Sequence, residues 1–127
     1  MSSKNLTSDA IQLLKDLIEI PSFSSEEHHT AKRIEEWFNV NDIPFNRHQN
    51  NIWAVNRYFN ASKPTLLLNS HHDTVKPNNG YTKDPFKAQV ESGKLYGLGS
   101  NDAGGCLVSL MATFTHFYAQ KDLNYNL

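Results

Sequence analysis

An α/β layered domain is the fold class that this 127-residue sequence predicts, and three observations carry it. Apolar residues recur at helical spacing near both ends of the chain, two pairs of short extended runs flank turn-forming residues, and residues 65–68 form an apolar run with no alternation. Helical spacing buries one stripe of a helix, whereas an apolar run without alternation reads as a strand covered on both faces, as in the middle of an α/β sheet.

In chain order, Ala10, Ile11, Leu14, Leu17 and Ile18 describe a first amphipathic helix after the capping candidates Thr7 and Ser8, and Pro21 stops it. Ser24 and Glu27 have capping-box spacing, so a second helix should follow, with Ala31, Ile34, Trp37 and Phe38 on its apolar face and its end near Val40. Residues 45–48 and 52–58 predict a β-hairpin around Asn50 and Asn51, which tolerate positive φ. The covered strand comes next, at residues 65–69. Lys87 to Leu98 predicts a second hairpin turning at Ser92-Gly93, with Leu95 and Tyr96 on its return strand. From Ala103 onward, Leu107, Leu110, Met111, Phe114 and Tyr118 describe a third helix.

Composition narrows the function classes. Hydrophobic residues at 39% and charged residues at 20% fit a globular protein and exclude disordered and collagen-like chains. Twelve basic and thirteen acidic residues leave a net charge of -1 with no Lys/Arg run, so nucleic acid is not expected as a partner. The apolar stretches are too short to span a bilayer and residues 1–7 are polar rather than signal-like, which predicts a cytoplasmic protein away from membranes. Cys106 is the single cysteine, so no intrachain disulfide and no cysteine-based zinc cluster can form, and any metal must use histidine and carboxylate. His28, His29 and His116 fall on predicted helices and read as exposed side chains. The length suits one domain, but a sheet of so few strands would leave an edge where a further strand belongs, and the extended pattern of residues 122–127 reads as a truncated chain.

The chemistry concentrates after the covered strand. His71 and Asp73 lie at its carboxyl end, where open α/β sheets place their ligand sites, and residues two apart on extended backbone share a face. One imidazole nitrogen can then bind a metal while a carboxylate fixes the ring's tautomer; three polar residues that merely finish a strand are the plain alternative. Asp102 precedes the third helix, where its ordinary role is an N-cap. Gly104 and Gly105 follow it and weaken a helix start, which implies close approach of the backbone to something else.

The run Leu66-Leu67-Leu68-Asn69-Ser70-His71-His72-Asp73-Thr74-Val75, then Asp84-Pro85-Phe86, then Gly93-Lys94-Leu95-Tyr96-Gly97-Leu98-Gly99-Ser100-Asn101-Asp102, closely resembles the acetylornithine deacetylase, succinyl-diaminopimelate desuccinylase and aminoacylase family. Ile20-Pro21-Ser22 extends the resemblance back into the first helix, and acetylornithine deacetylase is the nearest branch by this pattern. The resemblance implies the N-terminal part of a three-layer αβα zinc-peptidase-like catalytic domain with a mixed sheet. It also implies a two-zinc centre, with cobalt as a substitute, in which His71 binds one metal, Asp102 bridges both and Asp73 orients His71. A cis peptide bond between Asp102 and Ala103 is implied as well. His72, in the variable middle of the pattern, is expected to point away from the metals. Ala103-Gly104 departs from the Met-Lys of many relatives, at positions that are not ligands.

The family's general base, its remaining metal ligands and its lid and dimerisation domain have no counterpart among these residues. The resulting expectation is a parent homodimer that hydrolyses the N-acyl amide of a small amino acid, acetylornithine-like and belonging to arginine biosynthesis, with residues 1–127 inactive alone. A di- or tripeptidase, a carboxypeptidase, or a non-catalytic scaffold fragment are the alternatives. The substrate-binding residues are unknown from sequence.

Overall fold

A computed structural model describes residues 5–127, so most of the polar stretch read at residues 1–7 lies outside the described residues. Helix α1 spans Leu6–Glu19, and its N-cap is Asn5, whose side-chain oxygen accepts the Ser8 amide at 3.2 Å. The expected caps Thr7 and Ser8 lie inside the first turn instead. The helix ends at Ile20, before Pro21, as expected. Ala10, Leu13, Leu17 and Ile18 are buried, while Ile11 is nearly half exposed; Leu13 takes the central place that the expected stripe gave to Ile11.

Helix α2 spans His28–Val40, and Ala31, Ile34, Trp37 and Phe38 are all buried. The expected capping box does not form. Glu27 is the N-cap without a side-chain cap bond, and its carboxylate accepts the Ser25 amide at 2.7 Å and the Asn50 amide group at 2.9 Å. Helix α3 spans Gly105–Phe117 and buries Val108, Met111 and Phe114, with Tyr118 just beyond. Its start falls two residues after the expected one, because a wide turn over Ser100–Gly104 precedes it.

The three helices share one core. Leu13 and Leu17 meet Ile34, Trp37, Phe38, Met111 and Phe114, and the Phe38 and Phe114 rings pack edge to face at 6.3 Å. Trp37 satisfies its indole N–H on Thr115 Oγ1 at 3.0 Å. A Cβ at Gly104 would lie 2.6 Å from both the Gly99 carbonyl oxygen and Leu14 Cδ1, so the missing side chain lets the start of α3 press against α1.

Strand β1 (Asn46–His48) pairs antiparallel with β2 (Asn51–Trp53). The turn is Gln49-Asn50, one residue before the expected Asn50-Asn51, with Gln49 at φ 54°, and β2 ends at Trp53 rather than continuing to residue 58. Strands β3 (Gln89–Glu91) and β4 (Lys94–Tyr96) form the second hairpin at the expected turn, where Ser92 and Gly93 both take the positive φ of a tight two-residue loop.

Helices with two small sheets make the chain α/β, but the covered central strand is not formed among the described residues. Residues 65–69 contribute one isolated parallel bridge, Thr65 to Asn126, with the Leu66 amide on the Asn126 carbonyl at 2.9 Å. Leu68 packs on the helical core while Leu67 is 79% exposed, so one face is covered and the other open. A doubly covered strand needs layers on both sides, and the described helices supply one. Beside this segment runs a groove of about 940 Å³ with apolar walls that include Ile52, Leu68, Leu107, Met111 and Phe114. Asn126 is buried where the bridge forms, and its side chain exchanges hydrogen bonds with the backbone of Asn60 at 2.8 and 2.9 Å. Among the described residues, no helix is long and apolar enough to cross a membrane.

Leu13 has no solvent exposure at the meeting of the three helices. Leu13→Ala is expected to destabilise the chain by about 2–5 kcal/mol, the usual range for such a truncation, as read from urea denaturation followed by circular dichroism.

Candidate functional site

The segment that carries His71 and Asp73 is held from one side by residues 22–24. Ser22, almost fully buried, donates its hydroxyl to the His72 carbonyl at 2.9 Å, and its own carbonyl accepts the Thr74 amide at 2.8 Å. Phe23 and Thr74 form a parallel bridge. This pairing keeps residues 72–74 extended, and extended backbone sends alternate side chains to opposite sides.

His71 and Asp73 accordingly meet. His71 Nδ1 lies 3.0 Å from Asp73 Oδ1. His72 turns the other way, as expected, with Nδ1 2.8 Å from Thr30 Oγ1 and Nε2 2.9 Å from the Asn50 carbonyl oxygen. It thereby ties the site segment to the start of α2 and to the β1–β2 turn.

Asp102 arrives from the wide turn before α3. Its φ of -122° and ψ of 96° are not helical, the Asp102–Ala103 peptide bond is cis, and the N-cap of α3 is Gly104 with no side-chain cap bond. The N-cap reading of Asp102 therefore does not hold. Its Oδ1 lies 3.1 Å from His71 Nε2, and its side chain is 88% exposed. Gly99, at φ 78°, packs so closely on this side that a Cβ would sit 2.7 Å from Thr74 Cγ2.

One imidazole is thus set between two carboxylates. Partial desolvation pulls the His71 pKa down, but hydrogen bonds to Asp102 and then to Asp73 outweigh it and hold the value above the usual histidine range. Asp73 is held below the usual carboxylate range, first by a hydrogen bond from the Ser24 hydroxyl, against desolvation, and then by His71. Ser24 Oγ lies 2.5 Å from Asp73 Oδ2. Capping-box spacing points Ser24 to a helix cap and conceals this contact; its place two residues after Ser22 of Ile20-Pro21-Ser22 is the signal that points to it. His28, His29 and His116 are exposed, as expected. Among the described residues, no group of three or more His, Cys, Asp or Glu side chains is placed to hold one metal ion together.

Comparison with known proteins places the chain's sequence among hydrolases. Residues 67–127 match the model of "Peptidase family M20/M25/M40". The chain is 33% identical over 122 residues to a "Probable succinyl-diaminopimelate desuccinylase" of Staphylococcus aureus strain Mu50, covering 91% of this chain and 30% of that protein. It is 32% identical over 118 residues to the "Succinyl-diaminopimelate desuccinylase" of Buchnera aphidicola subsp. Baizongia pistaciae, covering 87% of this chain and 30% of that protein. The chain spans about 30% of the length of these relatives.

A raised pKa gives a definite pH signature. Stability that His71 gains from its carboxylates is fully present below its unfolded pKa and is lost as pH rises through the raised folded value; what Asp73 contributes is lost as pH falls through its lowered one. Solvent exposure of both side chains keeps these contributions small. In metal-free protein, the His71 ring protons are expected to titrate by NMR with a midpoint above 6.5, and Asp73→Asn should bring that midpoint down. A wild-type midpoint at or below 6.5 contradicts the two-carboxylate geometry. The three side chains that this titration reads all fall within residues 67–127, the segment that matches the model of peptidase family M20/M25/M40.

Proposed function

We propose that this chain is the N-terminal, metal-binding portion of the catalytic domain of a metal-dependent amide hydrolase that removes the N-acyl group from a small amino acid. The observation that carries this reading is the His71 imidazole held between Asp73 and Asp102, within a segment matched by a hydrolase family. In this reading His71 and Asp102 are metal ligands and Asp73 orients His71.

The donor set fits a zinc ion, or cobalt in its place. An Nδ1 proton committed to Asp73 leaves the Nε2 lone pair free, and Nε2 and Asp102 Oδ1 stand 3.1 Å apart. That separation lies within the span of two ligands on one ion, at bond lengths of about 2.0–2.2 Å. Asp102 is exposed, so its carboxylate would be open to a second ion, the bridging role that the motif resemblance implies. Bound metal in such a pair lowers the pKa of a water and polarises an amide carbonyl, the two tasks of amide hydrolysis. The chain's own residues hold and orient: Asp73 keeps the imidazole proton on Nδ1, the turn at residues 100–104 presents Asp102, and residues 22–24 brace the strand end that carries His71.

Two protein ligands are fewer than the three that catalytic zinc sites use, so residues 1–127 alone should bind metal weakly and hydrolyse nothing. The general base, the further ligands and the lid belong to the rest of the parent protein, of which the relatives' greater length is the support. The reading includes a three-layer αβα domain, a cytoplasmic homodimer and no nucleic-acid or membrane partner. Acetylornithine is the first substrate, from the motif resemblance; the relatives' name makes succinyl-diaminopimelate the second. Peptide hydrolysis by the same site, and a scaffold without catalysis, are the competing outcomes of the test.

That test is made on the full-length parent. Asp102→Ala is expected to lower metal content and N-acyl hydrolysis by at least the roughly 10–100-fold that follows from disturbing even an outer partner of a metal site. Unchanged metal content and activity would refute the bridging assignment. Assays with acetylornithine, succinyl-diaminopimelate and a dipeptide rank the substrate classes, and turnover by residues 1–127 with added zinc that His71→Ala abolishes would overturn the inactive-fragment reading.

A further inference from the structure

We infer that Ser24 is a positioning residue for His71: by holding the Asp73 carboxylate it keeps the neutral imidazole protonated on Nδ1 and its Nε2 lone pair directed towards Asp102. This deepens the proposed function, since it rests on Nε2 being the nitrogen that meets the metal.

A neutral imidazole carries one ring proton, and here two carboxylates compete for it, Asp73 Oδ1 at 3.0 Å from Nδ1 and Asp102 Oδ1 at 3.1 Å from Nε2, with the Asp73 carbonyl oxygen a further acceptor 3.2 Å from Nδ1. The distances alone do not choose between them. If the proton goes to Asp102, Nε2 becomes a donor and cannot ligate.

Restraint decides the competition. The terminal torsion of an aspartate is broad, so an unheld carboxylate swings off the ring plane. Asp102 is 88% exposed on its turn, whereas Asp73 receives the Ser24 hydroxyl on Oδ2 at 2.5 Å. That bond leaves Oδ1 facing Nδ1. A donor on Oδ2 also draws electron density from Oδ1 and weakens it as an acceptor, but this acts through the carboxylate's second oxygen and is smaller than losing the aligned contact.

The position of Ser24 is itself built. Ser22, two residues before, is buried and bonded in both directions to residues 72 and 74, and the Phe23 to Thr74 bridge sets the register. Immediately after, Ser25 takes a φ of 73° and its amide is caught by the Glu27 carboxylate at 2.7 Å. The Ser24 backbone is therefore pinned on both sides, which sets its Cα beside Asp73, and the χ1 rotamer that directs the hydroxyl at Oδ2 completes the contact.

The experiment uses ¹⁵N-histidine-labelled chain of residues 1–127, metal-free, at a pH well above the imidazole titration, with long-range ¹H–¹⁵N correlation to identify the protonated nitrogen. Wild type and Ser24→Thr should show His71 protonated on Nδ1. In Ser24→Ala the two nitrogen shifts should converge as the tautomers mix, while the resonances of the buried core stay in place. Wild-type protonation on Nε2, or an unchanged Nδ1 tautomer in Ser24→Ala, overturns the inference. If Ser24→Ala disturbs the core resonances, Ser24→Cys, which keeps the size but donates weakly, gives the same reading: converging shifts support the role and unchanged shifts refute it. Cobalt titration of the full-length parent, which carries the further ligands, separates the two levels. Loss of the tautomer preference with no cobalt binding even in wild type sinks the metal reading and leaves Ser24 in place. Cobalt binding with a tautomer indifferent to Ser24 does the reverse.

Discussion

The short parallel pairing of residues 22–23 with residues 72–74 is the constraint on which the site depends. Through Ser22 it couples the end of α1 to the end of the segment that bears His71, with one buried hydroxyl and one amide-to-carbonyl bond. Because backbone alternation then separates His71 and Asp73 from His72, a single register sets the direction of all three side chains. A slip by one residue would exchange them. The helical core matters to the site mainly because it fixes α1, and hence this pairing.

The opposite wall is made by close packing rather than by hydrogen bonds. Gly104 lets the start of α3 lie against Leu14 and the Gly99 carbonyl, and Gly99 lets the turn lie against Thr74. A side chain at either position would overlap these neighbours, so the turn that carries Asp102 or the elements around it would have to shift. Helix propensity is given up at the start of α3 for the sake of that approach, which is the local inconsistency expected where a site overrides ordinary helix rules.

Much of this was legible in the sequence. Trp37, Phe38, Met111 and Phe114 fall on the predicted stripes because helical periodicity is a local property of the chain. The turn at Ser92-Gly93 was legible because two positive-φ residues in succession dictate it. His71, Asp73 and Asp102 could be singled out by pattern, and the fold brings them together. What was not legible depends on partners distant in sequence. Ser24 has capping-box spacing with Glu27, but Asp73 and Asn50 offered these two side chains better partners. Residues 65–69 have the composition of a covered strand, yet covering is supplied by other elements, and composition cannot say where those elements are. Ile11 and Leu13 exchanged roles for a similar reason, since neighbouring helices choose which part of an apolar stripe is central.

The open face of residues 65–69 carries a cost of its own. Leu66, Leu67, Trp53 and Val55 present apolar surface beside a segment whose hydrogen-bonding groups are only partly engaged, on the rim of a deep apolar groove. Such a surface is a template for any extended chain that meets it. Globular proteins ordinarily cover, shorten or charge such an edge, and among the described residues the 65–69 segment has that protection on one face alone.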